Sequence, residues 1–250
     1  MPVVNGQKVF AAGRFFGINN VTVPTPTVFG VPQDQTITFK RDVKSLFGEN
    51  QLPEDVSSGT MQVSGKVTLA TLNPRMFADL VFGVSGTPGQ TNLANKEPGA
   101  IPGSGPFTVT VANSATWTGN EGVIDATTGK PMARVASSPA AGQYSAAAGV
   151  YTFSSADQGK AVLISYTFTI SSSGETVPLN NAPMGKVGNF TAVMQFLWGS
   201  EQSLLTLNNC LSTDTELATK LDDYGKPTFG FNSSCDTSGV LGSFSFAEAA

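Results

Sequence analysis

The stretch QTITFKRDVKSLFGENQLPEDVSSGTMQVSGKVTLATLNPRMFADLVFG, residues 35–83, decides how this chain is read. Its first ten residues carry Ile37, Phe39 and Val43 at separations of two and four, the period of a strand with one apolar face. Met61, Val63, Val67 and Leu69 alternate with Gln62, Ser64, Lys66 and Thr68, so residues 61–70 read as a second half-buried strand. The segment between them, KSLFGENQLPEDVSSGT, is too long for a tight turn and reads as a loop. It holds Leu46, Phe47 and Leu52 among Gly, Pro and acidic residues. Apolar side chains there need a cover, either the chain's own core or a partner. After the second strand, Asn73 stands at an N-cap position, Pro74 at the first helical position, and Gly83 where a left-handed residue ends a helix. Met76, Phe77, Leu80 and Val81 recur every three to four residues, which predicts a helix of about nine residues lying on a sheet.

Composition agrees with a chain dominated by strands. Among 250 residues there are 27 Gly and 15 Pro, and charged residues make up only 13%. Many turns and few helix formers point to a mainly β protein. So little charge on so long a chain fits a surface covered by neighbours. The net charge is −4 and no run of Lys and Arg occurs, so the chain shows no obvious set of cations to grip nucleic-acid phosphates. The first ten residues, MPVVNGQKVF, lack the charged and apolar regions of a signal peptide, and no run approaches the roughly 20 apolar residues of a membrane span. Cys210 and Cys235 have no metal or redox spacing and read as two small thiols.

Outward from the opening stretch, residues 1–33 interleave Gly and Pro with Phe10, Phe15, Phe16 and Phe29. They read as an arm with hydrophobic anchors, with a short edge strand at residues 21–25. Residues 84–106 show no hydrophobic period and read as a connection. A second polar stretch covers residues 171–185. Between them lie short strands with turn signals at Thr128-Gly129 and Ala148-Gly149, then a strand placing Val162, Ile164, Tyr166, Phe168 and Ile170 on one face. That pattern fits a sandwich. Downstream, Phe190, Ala192, Met194, Phe196 and Trp198 alternate, with residues 203–210 as the hairpin partner. Residues 213–223 lean to strand, and Phe244 and Phe246 alternate with Ser as in an arm that adds to another chain's sheet edge. The expected organisation is therefore a β-sandwich in two parts, residues 1–100 and 175–250, interrupted by a second sandwich at 101–174.

Catalytic chemistry finds little footing. The chain has no histidine, which removes the common Ser-His-Asp and Cys-His arrangements and the commonest transition-metal ligand. The adjacent carboxylates Asp222-Asp223 read as a solvated turn before Tyr224. The turn at residues 125–129 lacks the alternating carboxylates of a calcium loop. No enzyme activity, cofactor or metal is expected. Trp117, Tyr144 and Tyr151 could form a sugar-binding platform, against a core role that aromatics in a sandwich more often play.

The segment KSLFGENQLP, the stretch GKVTLATLNPRMFADLVFG, and the later LTLNNC and ATKLDDY together resemble the major tail protein, or tail tube protein, of phages. The middle part, with GQY, GVYTF and DQG leading to Tyr166, resembles immunoglobulin-like modules of phage structural proteins, without the Cys…Trp…Cys pattern of antibody domains. The resemblance implies a tail-tube-type β-sandwich whose copies form rings, hexameric in that family, stacked into a channel that conducts DNA without binding it specifically. It implies a virion location, assembly in the bacterial cytoplasm, and other tail proteins as partners. It makes Leu46, Phe47, Gly48, Gln51, Leu52 and Pro53 the contact between rings, with Phe10, Phe15 and Phe16 anchoring an N-terminal arm and Phe244 and Phe246 in a C-terminal one. Asn73, Pro74, Phe77 and Leu80 would set the helix on the sheet. A head decoration protein and a carbohydrate-binding host-attachment module are the alternatives.

Overall fold

The structure, a computed structural model, describes residues 11–19, 24–71, 73–181, 183–184, 188–198 and 201–246. In chain order the strands are β1 (Ala11–Asn19), β2 (Pro26–Val28), β3 (Pro32–Phe47), β4 (Pro53–Leu69), β5 (Thr87–Ala100), β6 (Thr108–Thr110), β7 (Trp117–Asp125), β8 (Ala133–Arg134), β9 (Gln143–Ala147), β10 (Val150–Phe153), β11 (Ala161–Thr176), β12 (Phe190–Trp198), β13 (Glu201–Glu216), β14 (Thr228–Ser233) and β15 (Gly242–Ser245). The protein is mainly β. It divides into one unit formed by Met1–Gly86 with Val177–Ala250, and a second formed by Thr87–Thr176.

The first unit is a continuous antiparallel sheet in the order β2-β1-β12-β13-β14-β4-β3, with β15 added to β13. It folds over itself. Laid flat, β1 and β14 would lie roughly 14 Å apart, three strand spacings. Instead the rings of Phe15 on β1 and Phe231 on β14 stack with centroids 5.8 Å apart, and Phe29 meets Phe229 edge-on at 4.8 Å. The apolar alternation of β4, β12, β13 and β14 thus closes into one core of Val63, Val67, Leu69, Phe190, Met194, Leu205, Leu207, Phe229 and Phe231.

The fold-over is built at Asn208-Asn209. There the pairing of β12 with β13 skips from Phe190↔Cys210 to Ala192↔Leu207, and β13 exchanges β15 for β14 as its other neighbour. A bulge of this kind lets one strand serve two layers. Asn209 takes φ +51°, which Asn tolerates better than other side-chain-bearing residues. Its amide donates to Ser234 Oγ (2.6 Å) and to the Cys235 carbonyl (3.2 Å).

Several expectations change. Residues 44–60 are not a loop. β3 and β4 continue to pair through Leu46↔Asp55 and leave only residues 48–52 as the turn. Ser, Lys and Gly at these positions obscured the strands, yet pairing still satisfies their backbone groups. The N-terminal segment is not an arm at Phe15: β1 is a nine-residue strand and Phe15 is wholly buried, with Phe16 half-buried. Phe10 lies outside the described residues. The edge strand predicted at residues 21–25 is not a strand in its described part, 24–25; the strand at this edge is β2, Pro26–Val28, directly after it. The helix shrinks to one α turn, Pro74–Met76, opening into a wide π turn, Phe77–Val81. Nine residues gain little from helix propensity alone, so packing sets the geometry. Its predicted ends hold: Asn73 Oδ1 accepts the Arg75 amide (3.0 Å), and Gly83 is left-handed at φ +61°. Met76 and Leu80 are buried, whereas the Phe77 side chain lies outside the described residues. β15 pairs with β13 of its own chain, so Phe244 rests on Phe196 rather than reaching away.

The second unit has two antiparallel-dominated sheets, β6-β10-β9-β8 and β5-β11-β7. Ile101, Val111, Val123, Tyr144, Tyr151, Phe153, Val162, Ile164 and Tyr166 form its core. The turns at Thr128-Gly129 and Ala148-Gly149 stand where predicted; Ala148 and Gly149 both have positive φ, as a two-residue hairpin turn requires. The unit begins at Thr87, not near residue 101. The segment read as a connection is β5, an edge strand that carries Pro88 and Pro98 because it pairs on one side only. Likewise β11 runs on to Thr176, and Thr87 pairs directly with Thr176.

Candidate assembly surface

Of the folded-over sheet, β14 covers only Val63 to Thr68 of β4. Beyond that, among the described residues, β3 and β4 pair with each other alone, and every side chain from Lys40 to Leu52 is exposed. The two strands form a hairpin arm. Asp42 marks its root: the register shifts between Arg41 and Val43, and Thr60 Oγ1 donates to Asp42 Oδ2 (3.3 Å).

The arm has two different faces. Side chains alternate along β3, and residues directly opposite across an antiparallel pair share a face. Val43, Ser45 and Phe47 therefore lie on one side, joined by Val56 opposite Ser45 and by Ser58 opposite Val43. Lys44, Leu46, Ser57 and Asp55 lie on the other. The first face is an apolar strip of Val43 (62% exposed), Phe47 (62%) and Val56 (55%), with half-buried Pro53 at its end. The second mixes charge with the single Leu46. The pair expected to act together, Leu46 and Phe47, is thus split. Gly48, Gln51 and Leu52 occupy the exposed turn, and a Cβ on Gly48 would run into the Glu54 carboxylate. Val43, read only as part of the first strand's apolar face, and Val56, not singled out at all, join Phe47 on this surface. Val43 stands four residues before Phe47, and that spacing was the available signal.

At the opposite end of the same sheet, the chain between β13 and β14 is irregular. Leu217, Leu221 and Tyr224 stand exposed there. Asp222-Asp223 forms the exposed turn predicted before Tyr224, with Asp223 beside Lys220 at 3.5 Å. Tyr224, Gly225, Lys226, Gln33 and Ala70 line a cleft of about 290 Å³.

Several other polar and aromatic side chains pair within the chain. Tyr144 and Tyr151 are buried in the core of the second unit, and their hydroxyls accept from Asn120 (3.0 Å) and Trp117 (3.4 Å), so these three aromatics form no sugar platform. Buried Asp157 accepts from the Gly142 amide and Lys160 Nζ, each at 2.7 Å. Asp236 accepts from Ser238 and the Val240 amide, which hold its carboxyl below the usual range. Burial pushes the Cys210 thiol up to about 11, while Cys235 is free and exposed. Among the described residues no group of three His, Cys, Asp or Glu could hold a metal ion, and no helix is long and apolar enough to cross a membrane. No protein-family model matches the chain, and no curated protein is significantly similar to it.

Proposed function

We propose that this chain is a self-assembling structural protein, the subunit of a phage tail tube. The observation that carries the reading is the hairpin arm: a rooted two-stranded ribbon whose apolar strip finds no cover among the described residues of its own chain. An exposed ribbon of this kind is a liability in a monomer and an asset in a polymer. The sequence resemblance supplies the kind of polymer, rings of copies (hexamers in that family) stacked into a channel for DNA, within the virion and beside other tail proteins. In this reading the chain performs no reaction and needs no cofactor. The bore and the stacking are its function, and the second unit is an appendage.

Negative-stain electron microscopy of the purified protein, alongside its sedimentation profile, tests this. Rings or hollow tubes of uniform width are expected. Discrete globular particles at every concentration, with no higher species in sedimentation, would contradict it.

A further inference from the structure

We infer that the apolar strip of the arm docks, Phe47 foremost, into the cleft beside Tyr224 of a second copy of this chain. The inference rests on the self-assembly reading and names its contact.

The two surfaces lie towards opposite ends of β4. Phe47 opposes Pro53 at the start of β4, and the cleft includes Ala70, just past its end. At roughly 3.3 Å per residue, the 17 residues of β4 put about 55 Å between them. The arm cannot bend back over that length without dissolving its own ladder, so the occupant comes from another molecule.

The fit follows from size and charge. A cleft of about 290 Å³ is at the small end of binding pockets, suited to one aromatic side chain rather than a drug-sized ligand. It is lined by Tyr224 (86% exposed), Gly225, Ala70, Gln33 and Lys226. Lys226 makes no ion pair among the described residues. The arm brings an apolar strip ending in Phe47, followed by Glu49, Glu54 and Asp55 around its turn. Apolar strip meets apolar cleft, and acidic turn meets Lys226. A Cβ on Gly225 would lie 2.1 Å from the Ala218 carbonyl oxygen, so the backbone beside Tyr224 packs closely on residues 218–219. A knob at one end of a subunit and its hole at the other make a heterologous contact, which each copy can pass on to the next.

The test uses Phe47→Asp and Tyr224→Asp, alone and mixed in equal amounts, followed by sedimentation velocity. Both side chains are exposed and outside the core, so each variant keeps the wild-type melting temperature. Alone, each is expected to stop at the smallest assembly. The mixture restores a single contact, between the intact arm of one variant and the intact cleft of the other, so the assembly doubles in mass and stops. Growth of Tyr224→Asp like wild type, or a mixture that fails to double, overturns the docking while leaving self-assembly in place. A wild-type chain that never associates overturns both.

Discussion

The hairpin of β3 and β4 contains two regions with the same local pattern and opposite fates. In the root, Val63, Val67 and Leu69 alternate with polar residues and are buried against Phe229 and Phe231. In the arm, Val43, Phe47 and Val56 share a face by the same alternation and are more than half exposed. The strands are continuous; the root lies within the folded-over sheet and its shared core, whereas beyond Val63 β4 has left β14 and, among the described residues, pairs with β3 alone. Alternation therefore reports which face is apolar, and not what lies against it. Where the chain supplies no layer, a second molecule can.

The comparison breaks hardest in the root. Phe231→Ala removes a wholly buried ring that stacks on Phe15 and meets Phe190 edge-on, and should cost about 3–5 kcal/mol in chemical denaturation. A loss below about 1 kcal/mol would mean the core is not closed as described. Glycines give a matched pair. A Cβ on Gly65 would lie 2.2 Å from the Phe231 ring, so Gly65→Ala should cost about 1–3 kcal/mol by overpacking. On the arm, a Cβ on Gly59 meets Asp42 only at 3.2 Å, and Gly59→Ala should be the milder of the two in the same assay. Equal costs would erase the distinction between the regions.

Cys210 reports on the closed core from within. Its folded-state pKa lies above the unfolded value near 9, so the folded form holds the proton more tightly. The associated stability is fully present below pH 9 and drains away as pH rises from 9 towards 11, where both forms ionise. The denaturation midpoint should fall over that window and recover in Cys210→Ala relative to its own value at neutral pH. A thiol reagent at pH 8 should modify one cysteine per folded chain, Cys235, and two after unfolding. Two fast thiols in the folded chain would place Cys210 outside the core. The smallest effect on stability belongs to the arm: Val56→Ser should change it by less than about 0.5 kcal/mol while weakening association.

Parts of this architecture could be read in the residues because local chemistry and tertiary context agree there. The root of β4, the face of β11 through Tyr166, the Ala148-Gly149 turn and the caps Asn73 and Gly83 are of this kind. Elsewhere the two diverge. Ser57, Ser58 and Gly59 are poor advertisements for a strand, and pairing with β3 alone makes them one. β5 carries two prolines and still pairs along β11 because it is an edge. Phe15 and Phe16 look alike in sequence, but only a sheet folded at Asn209 decides that Phe15 enters the core. Leu46 and Phe47 stand together in sequence and apart in space.

That last separation allows the most direct test of the account. Sedimentation velocity of Phe47→Asp beside Leu46→Asp, at concentrations where wild type assembles, places the same charge one residue apart on opposite faces of the arm. If the apolar strip is the assembly surface, Phe47→Asp stays at the smallest species and Leu46→Asp assembles close to wild type. Assembly of Phe47→Asp equal to wild type would contradict it.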